Sequence, residues 1–474
     1  MSSNDMAENR RMVCSSSDFL RIFAYLIVLS NGITTFLTEM NTPSLYDLYQ
    51  AYPHITTDSR CCPQDSIFFA LKGENFNGNQ FAAQALANGC AMAVVDEKSA
   101  VVAGDARYVL VEDALAVLQQ LAQHHRRQFK GTVLEITGTN GKTTTKELVA
   151  AVLSQKYKVL ATKGNLNNHI GVPKTLLELR PEHEMAVIET GANHPGEIAF
   201  LANLAEPDFG LITNVGKAHL EGFGSFQGVI KTKGELYDYL RTKPNGKVFL
   251  NTDNPYLEDI VGDLPAVGYG VAGGEGNYVE GEIDGCHPFL TLRWRVTDGG
   301  EWHKVKTHLI GAYNFQNVLA AVCVGKYFGV EDAAIDRALE GYFPKNDRSE
   351  LRVTAFNQLI VDAYNANPTS MTAAVENFGQ IRADHKMVIL GEMRELGAAS
   401  EEEHQKIVDL LKRQDCYEAV WLVGDLFRKA HHNFRTFANV EDVKRELSEH
   451  PVRDKLILIK GSNGTKLFQL PEYL

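Results

Sequence analysis

The stretch Thr137-Gly138-Thr139-Asn140-Gly141-Lys142-Thr143-Thr144-Thr145 constrains the fold of this chain more than any other. An apolar run, residues 133–136, precedes it, and a helix-like run, residues 146–153, follows it. Strand, glycine turn, lysine, hydroxyl and helix, in that order, form a cradle for a nucleoside triphosphate. The N–H groups of the turn and the helix N-terminus attract phosphate oxygens. Gly138, Thr139, Asn140, Gly141 and Thr144 then line the phosphates. Lys142 reaches the β- and γ-phosphates, and the Thr143 hydroxyl ligates Mg²⁺. The full eight-residue pattern asks for glycine at 136, where this chain has Ile136. The loop is therefore a shortened variant. A plain glycine turn before a surface helix is the competing reading, and the flanking strand and helix argue against it.

At 474 residues the chain is long enough for three domains, and 44% hydrophobic residues supply several cores. The net charge of −12 argues against nonspecific nucleic-acid binding and against an anionic membrane surface. A local basic pocket for a phosphorylated substrate remains compatible with it. Seven cysteines, at 14, 61, 62, 90, 286, 323 and 416, contain no CxxC pair. That pattern fits neither a disulfide framework nor a zinc site, and it predicts a reduced, cytoplasmic setting. Residues 19–37 are apolar-rich with Arg10 and Arg11 upstream, as in a signal or anchor. Arg21 and a Ser30-Asn31-Gly32 break interrupt them, leaving Ile22–Leu29, too short for a span of ~20 residues. Residues 1–40 are read as an N-terminal extension, with Met40 as the natural start, and no stable membrane association is expected.

Three α/β segments follow. Residues 41–129 hold strand candidates at 66–71 and 91–95 and a helical run at 113–129. Residues 130–345 alternate helices with strand candidates at 133–136, 157–161, 185–189, 209–213 and 247–250, which predicts βαβ units and a mostly parallel sheet. In residues 346–474 the rhythm restarts, with strand candidates at 359–361, 387–390, 419–423 and 456–459, as in a smaller Rossmann-like domain. Ligands of such sheets bind at the carboxyl ends of the strands. Lys142, Glu189, Asn214 and His219 cluster there along the sequence.

Several polar residues are ambiguous when read alone. Glu189 ends the run 185–188 and is either a Mg²⁺ ligand or a capping, solvated carboxylate. His219 follows another strand end and is either structural or a ligand. Lys233 opens a helical stretch, where a solvated surface lysine is the default. The loops carrying Asn167 and Asn168, Ser59 and Arg60, and Tyr364, Asn365 and Asn367 are dense in hydrogen-bonding groups, yet ordinary turns use the same residues.

Together these pieces resemble the ATP-dependent Mur ligases of peptidoglycan synthesis, from about residue 41 to the C-terminus. The family's loop TGTNGKT stands letter for letter at 137–143. Its uridine-binding stretch is matched by Asp58-Ser59-Arg60 and by Phe68-Phe69-Ala70-Leu71-Lys72-Gly73-Glu74. Residues Asp362-Ala363-Tyr364-Asn365-Ala366-Asn367-Pro368-Thr369-Ser370-Met371 resemble the branch that adds D-alanyl-D-alanine. Gly391–Gly397, His404 and Lys460-Gly461-Ser462 support the match.

The resemblance implies three domains: a small UDP-substrate domain (41–129), a central parallel-sheet ATP-binding domain (130–345) and a C-terminal Rossmann-like domain (346–474). It implies Lys142, Lys233, His219 and Arg348 as catalytic residues. Asn314, Asn317, Arg348 and Asp362 join the phosphate loop in binding ATP. Thr143, Glu189, His219 and Lys233 hold two Mg²⁺ ions, Lys233 as a CO₂-derived carbamate that needs a neutral amine first. Ser59, Arg60, Lys72, Gly73, Asn167, Asn168, Tyr364, Asn365 and Asn367 bind substrate. The implied reaction joins UDP-MurNAc-tripeptide to D-Ala-D-Ala through an acyl phosphate, in a monomer. Departures from the family pattern are Tyr313 where many members have His, Asn77-Gly78-Asn79 for Asp-Gly-His, and Asn463 where arginine is common. The alternatives are another Mur-like ligase, such as one adding a single amino acid or glutamate to folate, a phosphate-loop ATPase or kinase without ligation, and a membrane-anchored binding protein suggested only by residues 19–37.

Overall fold

The computed structural model describes residues 42–344 and 348–474. The extension 1–40, the start at Met40 and the expected junction at 345/346 lie outside the described residues. The chain divides into two compact units. One is built on residues up to Gln128 with Leu176–Glu178, the other on Phe129–Thr175 and Leu179–Leu474.

The first unit holds a four-stranded parallel sheet in the order Ile55–Thr56, Ser66–Phe69, Cys90–Val95, Tyr108–Leu110. Every residue of Ser66–Phe69 is buried, as expected for a parallel strand covered on both faces. A separate two-stranded hairpin pairs Lys72–Gly73 with Phe76–Asn77.

The second unit contains two sheets. The larger has nine strands in the order His303–Ile310, Phe289–Val296, Asn277–Cys286, Ala266–Val271, Lys247–Asn251, Phe209–Ile212, Thr132–Thr137, Met185–Glu189, Val159–Ala161. Its strands up to Asn277–Cys286 pair in parallel. Leu134 and Ile136 project into a core with Leu148, Val152, Val318 and Val322. Each such fully buried aliphatic side chain contributes roughly 1.5–3 kcal/mol. The opposite face packs Ile212 against Val229, Leu236 and Leu240. The register pairs Thr137 with Ile212 and Ile136 with Glu189, so three strands end side by side at their carboxyl ends. That edge carries the site.

The central sheet departs from the βαβ rhythm at Asn277–Ile310, where three consecutive strands run antiparallel. Only His287 and Pro288 join the first two of these strands, and so short a connection cannot cross over to a parallel neighbour. The alternation of apolar and polar residues in Leu290-Thr291-Leu292-Arg293-Trp294-Arg295 is the local sign of this hairpin.

The smaller sheet has the order Glu350–Val353, Gln358–Asp362, Leu456–Lys460, Lys386–Gly391, Ala419–Val423, Arg435–Phe437. It is parallel except for its first pair. Asp362 and Lys460 sit in register at its carboxyl edge. Among the described residues no helix is long and apolar enough to cross a membrane.

Candidate active site

The phosphate loop lies between Thr132–Thr137 and the helix Lys142–Leu153. Its two glycines are required sterically. Gly138 has φ +139°, and a Cβ there would stand 2.1 Å from Thr213 Oγ1. Gly141 has φ +75°, and a Cβ there would stand 2.6 Å from Asn317 Oδ1. The loop is pinned from the next strand end. The Thr139 N–H donates to Asn214 O at 2.9 Å, the Asn140 N–H donates to Asn214 Oδ1 at 3.0 Å, and Thr213 Oγ1 donates to Asn140 O at 2.6 Å. Lys142 Nζ bridges its own loop, donating to Gly138 O at 2.8 Å and Thr139 O at 3.0 Å. Burial pushes this ammonium down to about 8, with Glu189 opposing and Arg348 adding to the shift.

Thr143, Asn167 and Glu189 meet. Glu189 Oε1 accepts from Thr143 Oγ1 at 3.1 Å and from Asn167 Nδ2 at 2.8 Å. The other oxygen, Oε2, is buried without a hydrogen-bond donor among the described residues. A buried carboxylate oxygen without a donor, beside a threonine hydroxyl, suits a hard cation such as Mg²⁺, so these residues fit the ion.

His219 has φ +49°, and its Nδ1 bonds Glu395 Oε2 from the second sheet's domain. Burial lowers its pKa, Glu395 opposes that, and Lys142 and Lys233 add to it. Lys233 is 2% exposed on the helix Phe226–Arg241, with Nζ 5.4 Å over the Phe223 ring. Burial, then the charge of Lys142, push its amine down to about 7 against Glu235 and Glu197. Lys233 is therefore a buried amine near neutrality, not the solvated lysine that the sequence alone favoured.

These elements frame a cleft of about 1080 Å³. Thr139 to Thr144, Asn167, Asn168, Glu189 and His219 line one side of it; Asn314, Asn317, Arg348, Asp362, Tyr364, Asn365 and Asn367 also line it. Several of these side chains are already engaged. Asn317 Nδ2 donates to Asn314 Oδ1 at 2.8 Å and its Oδ1 accepts from Thr145 Oγ1 at 3.1 Å, which braces the phosphate-loop helix. Asn168 Oδ1 accepts from the N–H groups of Ile170 and Gly171 at 3.1 and 2.9 Å. Arg348 stacks its guanidinium 3.9 Å from the Tyr364 ring centre. Asp362 Oδ2 pairs with the buried Lys460 Nζ at 2.5 Å, whose Nζ also donates to Asn365 O at 3.3 Å. Asn367 caps the helix Pro368–Gln380 in a capping box with Ser370.

Sequence reasoning missed two parts of this cleft. One is the wall Asn193, Pro195, Gly196, Glu197 and Phe200, whose only local sign is a Pro-Gly turn after the Glu189 strand. The other is Glu395, quoted only as part of a motif, which meets His219. A smaller adjoining cleft of about 210 Å³ is lined by His219, Asn365, Arg394, Glu395, Ser462 and Asn463, among others.

Ser59, Arg60, Lys72 and Gly73 belong to the first unit. Ser59 is buried, and its carbonyl accepts from Asn88 Nδ2 at 2.8 Å. Arg60 is exposed and bidentate with Asp58 at 2.9 and 2.8 Å. Lys72, next to Gly73 in the hairpin, pairs with Asp96 at 2.9 Å and Glu97 at 3.2 Å. Asn79 Nδ2 donates to the same Asp96 oxygen at 2.7 Å, and Asn77 Nδ2 to Glu97 Oε1 at 3.0 Å.

Three family models match: the Mur ligase family catalytic domain over residues 52–126, the Mur ligase middle domain over 136–325, and the Mur ligase glutamate ligase domain over 347–463. A relative from Escherichia coli (strain K12), named UDP-N-acetylmuramoyl-tripeptide–D-alanyl-D-alanine ligase, is 37% identical over 426 residues, covering 87% of this chain and 91% of the relative. The crystal structure of MurF from Acinetobacter baumannii is similar with TM-score 0.77 and 31% identity, over 90% of this chain and 96% of that one. MurF from Thermotoga maritima in complex with ADP is similar with TM-score 0.76 and 26% identity, over 89% of this chain and 96% of that one. With a middle-domain match that begins at the phosphate loop and a relative aligned across most of its length, this chain belongs to the Mur ligase family.

Proposed function

We propose that this protein is the ATP-dependent ligase that joins D-alanyl-D-alanine to UDP-N-acetylmuramoyl-tripeptide, giving the pentapeptide precursor of peptidoglycan with ADP and phosphate. The observation that carries the reading is one cleft that holds the phosphate loop, the Thr143–Glu189 pair and the Arg348–Tyr364 stack together. The name of the Escherichia coli relative points to the same substrates.

The tripeptide carboxylate attacks the γ-phosphate to form an acyl phosphate, and the dipeptide amine then displaces phosphate. Two anions must meet in the first step, so cationic groups aimed at the transferring phosphoryl lower its barrier. Lys142 and Arg348 take that part. Lys142 leaves its loop carbonyls for the phosphate oxygens as the nucleotide enters. Bound Mg²⁺ supplies charge neutralisation at the phosphates. Thr143, Glu189, His219 and Lys233 as its carbamate are the proposed holders of two ions. Asn314, Asn317 and Asp362 face the nucleoside. Asn167 and Asn168 are proposed substrate contacts, and in the first unit Ser59, Arg60, Lys72 and Gly73 are the proposed contacts to the UDP moiety. Tyr364, Asn365 and Asn367 meet the incoming dipeptide, and the smaller cleft, with Arg394 and Glu395, offers both charges to its zwitterion. The three segments 41–129, 130–345 and 346–474 act as UDP-substrate, ATP and C-terminal domains of a cytoplasmic monomer. Six described cysteines are free thiols, which suits that compartment.

The test is phosphate release with ATP, Mg²⁺, UDP-MurNAc-tripeptide and D-Ala-D-Ala, omitting each in turn. Release that needs both the tripeptide and the dipeptide is expected. Release with ATP and Mg²⁺ alone would overturn the ligase reading in favour of an ATPase.

A further inference from the structure

Tyr313 lines the main cleft and is 37% exposed, and its hydroxyl lies 2.7 Å from Ser349 Oγ. The ring is pressed against the backbone: a Cβ on Gly311 would stand 2.3 Å from it. The position of the hydroxyl is therefore set by the loop Gly311–Asn314. Ser349 is buried, and its φ of +49° lies in the left-handed region that residues with a Cβ avoid. A strained residue keeps such a conformation only where its surroundings hold it there, and the Tyr313 hydroxyl is the partner that its side chain has among the described residues. The residue before it, Arg348, stacks over Tyr364 at 3.9 Å. Its charge is also felt at Lys142.

We propose that Tyr313 and Ser349 form a positioning pair that fixes the backbone at Arg348, and so sets the guanidinium between the Tyr364 ring and the phosphate side of the cleft. Tyr313 acts through Arg348 and not by touching the transferring phosphoryl. The ring lines the cleft while the hydroxyl holds Ser349. This inference rests on the ligase reading.

Tyr313→Phe removes the hydroxyl and keeps the ring. Ser349→Ala removes the partner and keeps the backbone demand. Both, and the double variant, are assayed as full chains by phosphate release with ATP, UDP-MurNAc-tripeptide and D-Ala-D-Ala. Each single change is expected to lower kcat by about tenfold, the loss of one hydrogen bond. KM for ATP should stay within about twofold, because the ring surface persists. The double variant should be no slower than the singles, since one contact is lost once. Thermal melting distinguishes the cause: a positioning role leaves it in place. Singles with wild-type kcat, losses that multiply in the double variant, or a kcat loss that only follows a lowered melting temperature would each overturn the pair. Wild-type chain without dipeptide-dependent release would overturn the ligase reading, and the inference with it.

Discussion

Asn367 Nδ2 donates to Asn140 Oδ1 at 2.7 Å, linking the phosphate loop to the cap of a helix 227 residues further along the chain. The same Asn367 accepts the Ser370 N–H at 2.9 Å as that helix's N-cap. One side chain thus serves two purposes, and two substitutions separate them. Asn367→Ala loses both and should destabilise by about 1 kcal/mol from the lost cap alone. Asn367→Asp keeps the cap acceptor but cannot donate to Asn140. Melting close to wild type with reduced kcat is expected for the Asp variant, and lowered melting with reduced kcat for the Ala variant. Equal kcat in wild type and Asn367→Asp would show that the donation to Asn140 Oδ1 is catalytically idle.

Lys142→Ala should lower kcat by at least about 10³-fold, through loss of the cation aimed at the transferring phosphoryl. Among the described residues its Nζ donates only to loop carbonyls, so the fold should persist by circular dichroism. Near-normal turnover would remove Lys142 from the mechanism.

Lys233 has its amine pushed down to about 7, first by burial and then by Lys142. The neutral form, which CO₂ needs, therefore gains as pH rises through about 7. At limiting bicarbonate, activity should climb across that range, and at saturating bicarbonate the dependence should flatten. Lys233→Ala should be nearly inactive and regain turnover with added short carboxylates. A variant with full activity and no response to bicarbonate or carboxylate would rule out the carbamate.

Glu135 lies at the centre of the Thr132–Thr137 strand with no exposure. Its Oε1 accepts from Thr190 Oγ1 at 2.7 Å, while Oε2 is buried without a partner among the described residues. Burial raises its pKa to about 8, with the Thr190 hydroxyl opposing. The folded pKa lies above the unfolded one, so the folded state binds more protons between them and stability falls as pH rises towards and through about 8. Glu135→Gln removes that titration and keeps an acceptor for Thr190. Between pH 6 and 9 (roughly, spanning the shifted value) the wild-type melting temperature should fall more steeply than that of Glu135→Gln. Parallel curves would show that Glu135 does not titrate there.

Much of the fold was legible because its signals are local. Apolar runs at 133–136, 185–189, 209–213 and 247–250 became strands Thr132–Thr137, Met185–Glu189, Phe209–Ile212 and Lys247–Asn251. In the C-terminal sheet the candidates at 359–361, 387–390, 419–423 and 456–459 also became strands. Glu350–Val353 and Arg435–Phe437 were not anticipated, because short edge strands carry little apolar pattern. The strands between Asn277 and Ile310 were not among the expected ones, and their antiparallel pairing departs from the βαβ units expected over residues 130–345.

The amino-acid sequence by itself determined the phosphate loop, the alternating α/β architecture and membership of the family, because contiguous residues and short periods specify each of them. Tertiary structure alone decided the chemistry of single groups. Lys233 reads as a surface lysine until the fold buries it near Lys142. Glu189 is an ordinary carboxylate until Thr143 and Asn167 take one oxygen and leave the other without a donor. His219 meets Glu395, and Tyr313 meets Ser349, across 176 and 36 residues of chain. Desolvation and Coulomb interactions depend on which groups lie within a few ångströms of one another, and packing over long sequence separations decides that.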